Sequence, residues 1–409
     1  MNNFIKRTRY LQKIRPFYGV DLIKVLTGVR RCGKSILLKQ IEEEFVANGF
    51  DINHIVKINF EDFEFEKIRN LEKFHKYVKG KIKDNGKYLF FFDEIQHVKG
   101  FEKVLSSLRA TQNCEIFITG SNSKLLSGKM ATLLVGRCIE FKIFPFSFAE
   151  AFEYISLLGR GKNADDFLLD YINWGGFPLR FSFINEKDIK KYLEQTYNGI
   201  IDSDIVIEET KFNRQSFDKV SSYIMANAGK EFSSKNIDNF FKSVNLESLE
   251  KKTVYRYLEK MEKACLIERV KRFNIVGKQS MSYIEKQYAV DSGFRMINTN
   301  FVNFEDTFFL ENIIYNELKT RDYEVFTGKT HKGEVDFVVI DGHKKCFIQV
   351  AYYLASNETI DREFGAYKEI KDASPKYVFS LDKFDYSRDG IIHLNIVDFL
   401  LGKKDIILT

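Results

Sequence analysis

Eight consecutive residues near the N-terminus have the types and spacing of a phosphate-binding loop. Their sequence, GVRRCGKS from Gly28 to Ser35, satisfies the pattern G-x-x-x-x-G-K-[ST]. Gly28 and Gly33 let the backbone curl so that several N–H groups point inward, where they can surround phosphate oxygens. The ammonium of Lys34 can reach β- and γ-phosphates, and the hydroxyl of Ser35 can bind Mg²⁺. We therefore predict that the chain binds a nucleoside triphosphate, ATP, together with Mg²⁺.

The residues on either side of this loop predict the elements that must hold it. LIKVLT, residues 22–27, has the character of a buried strand, and ILLKQIEEEF that of an amphipathic helix. A helix that begins at the loop adds partial positive charge where phosphates would lie. We assign the whole loop and the next residue to cofactor binding: Gly28, Val29, Arg30, Arg31, Cys32, Gly33, Lys34, Ser35 and Ile36.

Two adjacent acids complete the predicted chemistry. Asp93 and Glu94 directly follow four apolar residues, Leu89 to Phe92. This is the pattern of a Walker B strand, whose acids lie at the carboxyl edge of the sheet where ligands bind. We expect Ser35 to bind Mg²⁺ and Asp93 to hold the ion through water. Glu94 would orient and deprotonate the attacking water, with Lys34 as the second catalytic group. A strand that merely ends in acids is the alternative, and the nearby loop disfavours it.

Two further residues are candidates for sensing the γ-phosphate. The run Thr119 to Asn122 ends an apolar segment, and Asn122, or Ser121, could place a polar group beside the phosphate. Arg137 precedes another apolar run and could act as an arginine finger, in cis or from a neighbouring subunit. A structural ion pair is an equal alternative for Arg137.

The order of apolar runs predicts the architecture of this region. Five of them alternate with helical segments in the first 145 residues, which favours a parallel sheet covered on both faces and an α/β fold. The runs are residues 22–27, 54–61, 87–95, 114–122 and 138–144.

Taken in order, the motifs GVRRCGKS, FFFDEIQ, ITGSN, LVGR and WGGFP resemble a family of predicted ATPases of the AAA superfamily. Members of that family carry a C-terminal restriction-endonuclease-like domain, and the resemblance covers nearly the whole chain. It implies an AAA-type P-loop ATPase over residues 1–205, with an α/β core at 1–145 and a helical lid at 146–205. It also implies that Gly176 and Pro178 lie near the adenine. From the residues alone, GGFP indicates only a helix stop and a turn.

Residues 206–295 predict a winged helix-turn-helix, because three short helical patterns precede a pair of strands. Ten Lys or Arg and four Glu lie between residues 251 and 288, a local excess of positive charge. Such a patch is typical of nucleic-acid contact, with 252–263 as the recognition helix. A protein-docking winged helix is the alternative. The candidate contacts to double-stranded DNA are Lys252, Tyr255, Arg256, Lys260, Lys263, Lys271, Arg272 and Lys278.

Residues 296–409 resemble PD-(D/E)xK nucleases, a small α/β fold. By position, the metal-site residues of that group correspond to Glu311, Asp336, Gln349 and Ala351. Gln349 offers a neutral oxygen where Mg²⁺ prefers a carboxylate, and Ala351 lacks the expected ammonium. We therefore predict a degenerate site that reads shape or binds protein. An ATP-dependent nuclease is the alternative.

Composition narrows the class of protein. Five scattered cysteines without a CxxC pair argue against a disulfide framework or a zinc site. The N-terminus lacks the apolar segment of a signal peptide, and no apolar run is long enough to cross a membrane. These features predict a cytoplasmic protein without membrane contact. Its predicted partners are ATP and either double-stranded DNA or another protein, and an oligomer is compatible with the sequence. The function that follows is an ATP-hydrolysing switch.

Overall fold

The structure is a computed structural model, in which two compact units are distinguished. One unit comprises Met1–Phe144 with Lys263–Cys265, and the other comprises Pro145–Glu262 with Leu266–Thr409. The residues that the structure describes are 4–120, 125, 136–206, 212–232, 236–237, 239, 242, 249–275, 277, 279–299, 306–330 and 333–409.

The first unit contains a five-stranded sheet in which every neighbouring pair is parallel. Its strands are β1 Ile23–Thr27, β2 Ile55–Asn59, β3 Tyr88–Asp93, β4 Cys114–Thr119 and β5 Cys138–Lys142. Their order is β2-β3-β4-β1-β5, so that β4 separates the strand before the phosphate loop from the strand that ends in Asp93. The predicted parallel α/β sheet of a P-loop NTPase is confirmed.

Two helices of this unit, Leu71–Lys81 and Phe101–Thr111, form a buried hydrophobic core together with the strands. Both β1 and β3 are buried along their whole length, because the sheet is covered on both faces. Aromatic side chains fill much of the space, and Phe60, Phe74 and Phe92 pack edge to face. The helices are α1 Thr8–Ile14, α2 Lys34–Ala47, α3 Leu71–Lys81 and α4 Phe101–Thr111.

Downstream of residue 145 the chain continues in helices before the second sheet forms. The predicted helical spacing of residues 147–155 corresponds to α5, whose first turn is closed by a capping box between Ser147 and Glu150. The helices are α5 Phe148–Leu157, α6 Ala164–Trp174, α7 Glu186–Ile200, α8 Arg214–Ala226, α9 Lys251–Lys263, α10 Ser292–Asn298, α11 Asp306–Thr320, α12 Asn357–Gly365 and α13 Ile396–Leu400.

The second sheet has seven strands and mixed direction. Its strands are β6 Ile267–Asn274, β7 Gln279–Ala289, β8 Glu324–Lys329, β9 Glu334–Asp341, β10 Lys344–Val350, β11 Lys376–Ser380 and β12 Ile391–Asn395. Their order is β12-β11-β10-β9-β8-β6-β7. The strand pair that the sequence assigns to a separate wing, β6 and β7, therefore forms the edge of this sheet. The predicted boundary between a winged helix and a nuclease-like domain lies between residues 295 and 296. Strands from both sides of it belong to the same sheet, because β6 pairs in parallel with β8.

The helical part of the predicted winged helix is described for its first and third helices. In α8 the predicted face of Phe217, Val220 and Ile224 is buried. In α9 the predicted inward residues Val254, Tyr257, Leu258 and Met261 are buried. In the second predicted helix, Ile237 is buried. The other residues expected on that face, Phe240, Phe241 and Val244, lie outside the described residues.

Candidate functional site

The phosphate loop, residues 28–35, has the backbone that its glycines predict. Gly28 has φ +138°, and a Cβ placed there would lie 2.1 Å from the carbonyl oxygen of Ile143. Gly33 has φ +102° and directly precedes α2. Both positions favour glycine, because a side chain at positive φ is strained and Gly28 has no room for one. The loop is thus a tight turn held against the end of β5.

Lys34 is buried and its ammonium is already positioned by the loop. Its Nζ donates hydrogen bonds to the carbonyl oxygens of Gly28 and Val29, each at 3.0 Å. The same Nζ lies 4.0 Å from Oε1 of Glu94. The loop lysine and the predicted catalytic acid therefore lie close together.

The acid that ends β3, Asp93, and the acid that follows it, Glu94, both contact one hydroxyl of the neighbouring strand. Thr119, the last residue of β4, donates to a carboxylate oxygen of Asp93. The same Oγ1 accepts a hydrogen bond from the backbone N–H of Glu94 at 2.9 Å. Glu94 has φ +51° and its carboxylate accepts a hydrogen bond from Gln96. Sequence analysis missed Thr119, although it begins the polar run from which Ser121 and Asn122 were chosen.

Asp93 and Ser35 are suited to share a metal ion. Burial raises the pKa of Asp93, while hydrogen bonds from the Thr119 and Ser35 hydroxyls act in the opposite direction. One carboxylate and one hydroxyl thus lie in direct contact at the end of the loop, the oxygen donors that Mg²⁺ prefers. These residues fit the predicted metal shell.

Arg7, which belongs to none of the predicted motifs, donates a hydrogen bond to the backbone of the phosphate loop. Arg7 is almost completely buried, and its Nη1 donates to the carbonyl oxygens of Cys32 at 3.1 Å and Phe144 at 3.0 Å. Its backbone N–H donates to Gln40 of α2 at 3.0 Å. Sequence analysis missed this residue because nothing in its local pattern indicates contacts so distant along the chain.

The remaining predicted loop residues divide into buried and outward positions. Val29 and Cys32 are fully buried, and burial raises the pKa of the Cys32 thiol. Arg30 lies 3.9 Å from Glu61, while Arg31 has φ +65° and is exposed. Ile36, in the first turn of α2, is half-buried.

The candidate sensor and arginine finger have different outcomes. Asn122 and Ser121 lie outside the described residues. Arg137 is exposed, and its backbone carbonyl accepts a hydrogen bond from Ile23 at the start of β1. The role of its side chain stays a prediction.

In the second unit the WGGFP motif is a packing junction. A Cβ on Gly176 would lie 2.0 Å from the carbonyl oxygen of Phe146, and one on Gly175 would lie 1.8 Å from Asp291. The N–H of Gly176 donates to the Asp291 carboxylate at 2.7 Å. Pro178 begins a short 3₁₀ helix. These contacts explain the glycines within the second unit, and the adenine contact of Gly176 and Pro178 stays a prediction.

The candidate nucleic-acid residues differ in their exposure. Lys252, Arg256, Lys263 and Lys271 are exposed, and Tyr255 and Lys260 are half-buried. Lys278 lies outside the described residues.

Arg272 was predicted to contact DNA, and the structure shows that this prediction is wrong because its side chain is buried. It is 4% exposed, and its guanidinium pairs with Glu231 and, at 3.3 Å, with Glu334. Because its neighbour Lys271 takes the outer face of β6, Arg272 points to the protein interior. Its guanidinium therefore serves carboxylates rather than the phosphates that the sequence suggested.

The three residues of the predicted degenerate nuclease site meet on the second sheet. The N–H of Asp336 donates to Oε1 of Gln349 at 3.3 Å, across β9 and β10. Burial raises the pKa of Asp336 well above its usual range, and the charge of Glu311 adds to the effect. Burial likewise raises the pKa of Glu311.

A lysine that sequence analysis did not consider joins this group. The Nζ of Lys286 on β7 lies 3.6 Å from Glu311 and 2.5 Å from Glu334. Burial lowers the pKa of Lys286, but the carboxylates of Glu311, Asp336 and Glu334 outweigh it and the net change is upward.

Among the described residues, no helix combines the length and hydropathy that a membrane crossing requires.

Comparison with known proteins agrees with the fold of the first unit. Residues 21–152 match the family model of an AAA domain. Residues 165–303 match a domain of unknown function, DUF8612, which carries no assigned activity. A Walker-type ATPase of Pyrococcus abyssi has a similar fold, with a TM-score of 0.50 and 15% identity over 72% of this chain and 96% of that one.

Two relatives are similar along most of their length. An uncharacterized protein of Haemophilus influenzae is 32% identical over 401 residues, which cover 97% of this chain and 98% of the relative. An uncharacterized protein of Methanocaldococcus jannaschii is also 32% identical, over 92% of this chain and 85% of its own. The chain therefore belongs to one protein family with these two relatives, and its N-terminal part is an AAA domain with the fold of a P-loop NTPase.

Proposed function

We propose that this protein is an AAA-type ATPase that couples ATP binding and hydrolysis to the binding of DNA or protein by its second unit. One observation carries the proposal: the Thr119 hydroxyl ties Asp93 and Glu94 together, and the Lys34 ammonium lies 4.0 Å from the Glu94 carboxylate. A phosphate loop alone is compatible with binding. An acid fixed opposite the loop lysine supports hydrolysis.

Each residue has a defined task in this mechanism. Lys34 exchanges a loop carbonyl for the β- and γ-phosphate oxygens of ATP. Ser35 and Asp93 would hold Mg²⁺, which would neutralise negative charge on the phosphates. Glu94 accepts a proton from the attacking water and aligns its oxygen with the γ-phosphorus. The backbone of Glu94 has a positive φ, and the hydroxyl of Thr119 accepts a hydrogen bond from its N–H. Together they hold the Glu94 carboxylate near Lys34.

Turnover by a Glu94→Gln variant tests this proposal. Glutamine keeps the shape but accepts no proton, so ATP hydrolysis should fall by about a hundredfold or more while ATP binding persists. Glu64→Gln is the matched control, because Glu64 is an exposed acid of the same unit that makes only a helix-start contact. Negligible ATP turnover in both wild type and Glu94→Gln would mean that ATP is only a structural ligand, and equal, substantial turnover would exclude Glu94 as the catalytic base.

As the partner that the second unit binds, we favour DNA over a protein. The exposed side chains of Lys252 and Lys271 support this choice, since ammonium groups at the surface can contact phosphates. Binding to duplex DNA should then weaken steeply with added salt, because phosphate contacts release counterions. A shallow salt dependence together with affinity for a protein would favour the docking alternative.

An ATP-dependent nuclease is the third candidate function. The meeting of Glu311, Asp336 and Gln349 supports it, whereas the neutral amide of Gln349 and the methyl group of Ala351 oppose it. Metal-dependent cleavage that is lost in Asp336→Ala would establish this function.

A further inference from the structure

Lys286 lies inside the carboxylate cluster of the second sheet. The lysine is 5% exposed, and its Nζ lies 2.5 Å from Oε1 of Glu334 and 3.6 Å from Oε2 of Glu311. Glu311 is 3% exposed. An unpaired buried carboxylate is costly, and a cation at contact distance offsets that cost. In a metal-dependent nuclease that cation is a divalent metal. Here the cation next to the carboxylates is the ammonium of Lys286.

The oxygens that would bind a metal are engaged with protein donors. Oδ2 of Asp336 accepts the backbone N–H of Val350 at 2.8 Å. Oε1 of Gln349 accepts the backbone N–H of Asp336 at 3.3 Å. Oε2 of Glu311 accepts the hydroxyl of Tyr288 at 3.1 Å. With the Lys286 ammonium also in contact with Glu311 and Glu334, these residues do not fit a divalent metal site as they stand.

The charges around Lys286 continue as an alternating chain. Glu334 contacts Lys286 and also lies 3.3 Å from the guanidinium of Arg272. Arg272 in turn pairs with Glu231. Two cations thus bridge acids from β9, α11 and the segment before α9. A metal dication added next to the Lys286 ammonium would meet strong repulsion at such distances.

We propose that the ammonium of Lys286 is the built-in counter-ion of Glu311 and Glu334 and takes the place of a divalent metal. The cluster is then a metal-independent ionic junction that joins β7 to α11 and β9. The absence of a lysine at Ala351 follows naturally, because the cation of this site comes from a different strand.

Mn²⁺ binding, measured by electron paramagnetic resonance in nucleotide-free full-length protein, tests this proposal. The first unit has its own candidate ligands, since Glu61, Glu94 and His97 can bring oxygen and nitrogen atoms within 4.8 Å of one another. All variants are therefore made in an Asp93→Asn, Glu94→Gln background. Lys286→Met should bind Mn²⁺ about tenfold more tightly than that background, because a unit charge is removed at contact distance. Adding Asp336→Asn should abolish the gain.

Lys286→Arg is the matched control, since it keeps the cation and should show no gain in Mn²⁺ binding. Two results would overturn the proposal. One is a folded Lys286→Met protein that binds Mn²⁺ no better than Lys286→Arg. The other needs no Lys286 variant: Mn²⁺ binding in the background protein that disappears with Asp336→Asn. If Lys286→Met fails to fold, this second comparison decides alone, and equal, weak Mn²⁺ binding with and without Asp336→Asn supports the proposal.

Discussion

The guanidinium of Arg7 donates a hydrogen bond to the carbonyl oxygen of Cys32 in the middle of the phosphate loop, at 3.1 Å. The same Nη1 donates to the carbonyl oxygen of Phe144 at 3.0 Å. A loop that binds phosphate through its N–H groups must keep its carbonyls turned away from the ligand. Arg7 supplies the donor that holds one of them there.

We predict that Arg7→Ala raises the KM for ATP by about tenfold with a smaller change in kcat, because the loop loses its support rather than its catalytic groups. Steady-state kinetics check this split. Lys6→Ala removes an exposed cation one residue away and serves as the control. Free guanidinium at low concentration should partly restore the KM of Arg7→Ala. No change in KM would show that Arg7 is irrelevant to the loop.

The bridge made by Thr119 gives a second prediction. Thr119→Val keeps the shape but removes the hydroxyl that contacts Asp93 and the N–H of Glu94, so kcat should fall by about ten- to hundredfold. Since the hydroxyl lowers the pKa of Asp93, its loss should shift the acid limb of the pH–rate profile to higher pH. Thr119→Ser should retain most activity. Identical pH profiles for Thr119→Val and wild type would contradict this account.

Stability should depend on pH through Asp291. Burial raises the pKa of Asp291 from 3.8 to about 6, although the N–H groups of Gly176 and Gly293 oppose the change. The folded protein therefore keeps a proton that the unfolded chain has lost, and stability falls as pH rises from about 4 to about 6. The loss is at most about 3 kcal/mol, because one pKa unit corresponds to about 1.4 kcal/mol.

Urea unfolding at several pH values measures this effect. Asp291→Asn cannot ionise, so its free energy of unfolding should change less between pH 4 and pH 6 than that of wild type. Its stability is lower at acid pH, since asparagine offers one acceptor oxygen to the two N–H groups. Parallel pH curves for the two proteins would exclude Asp291 as the source.

The first unit could be largely predicted from the sequence because its signals are local. Apolar runs bounded by turns indicate buried strands. All five strands of the first sheet lie inside the predicted apolar runs. The phosphate loop is one continuous segment, and the two acids are adjacent residues. Their positions at the same edge of the sheet follow once the strands are known to be parallel.

The missed residues depend on contacts between distant segments. Arg7 and Thr119 act through backbone groups of other elements, which no local pattern encodes. Arg272 was expected in the segment that joins two strands, but β6 continues to Asn274 and Arg272 pairs with Thr327 of β8. Lys286 was overlooked because only the joining of β7 to the sheet brings it to Glu311.

Nucleotide binding itself is the most direct test of the central claim. Isothermal titration of the wild-type protein with ATP and Mg²⁺ should give saturable heat, and Lys34→Ala should lose most of it, because the ammonium that reaches the phosphates is removed. Lys39→Ala, an exposed lysine of the same helix, is the control and should bind ATP normally. If the wild-type protein gives no heat with ATP or GTP in the presence of Mg²⁺, residues 28–35 are not a phosphate loop in function and the account is wrong.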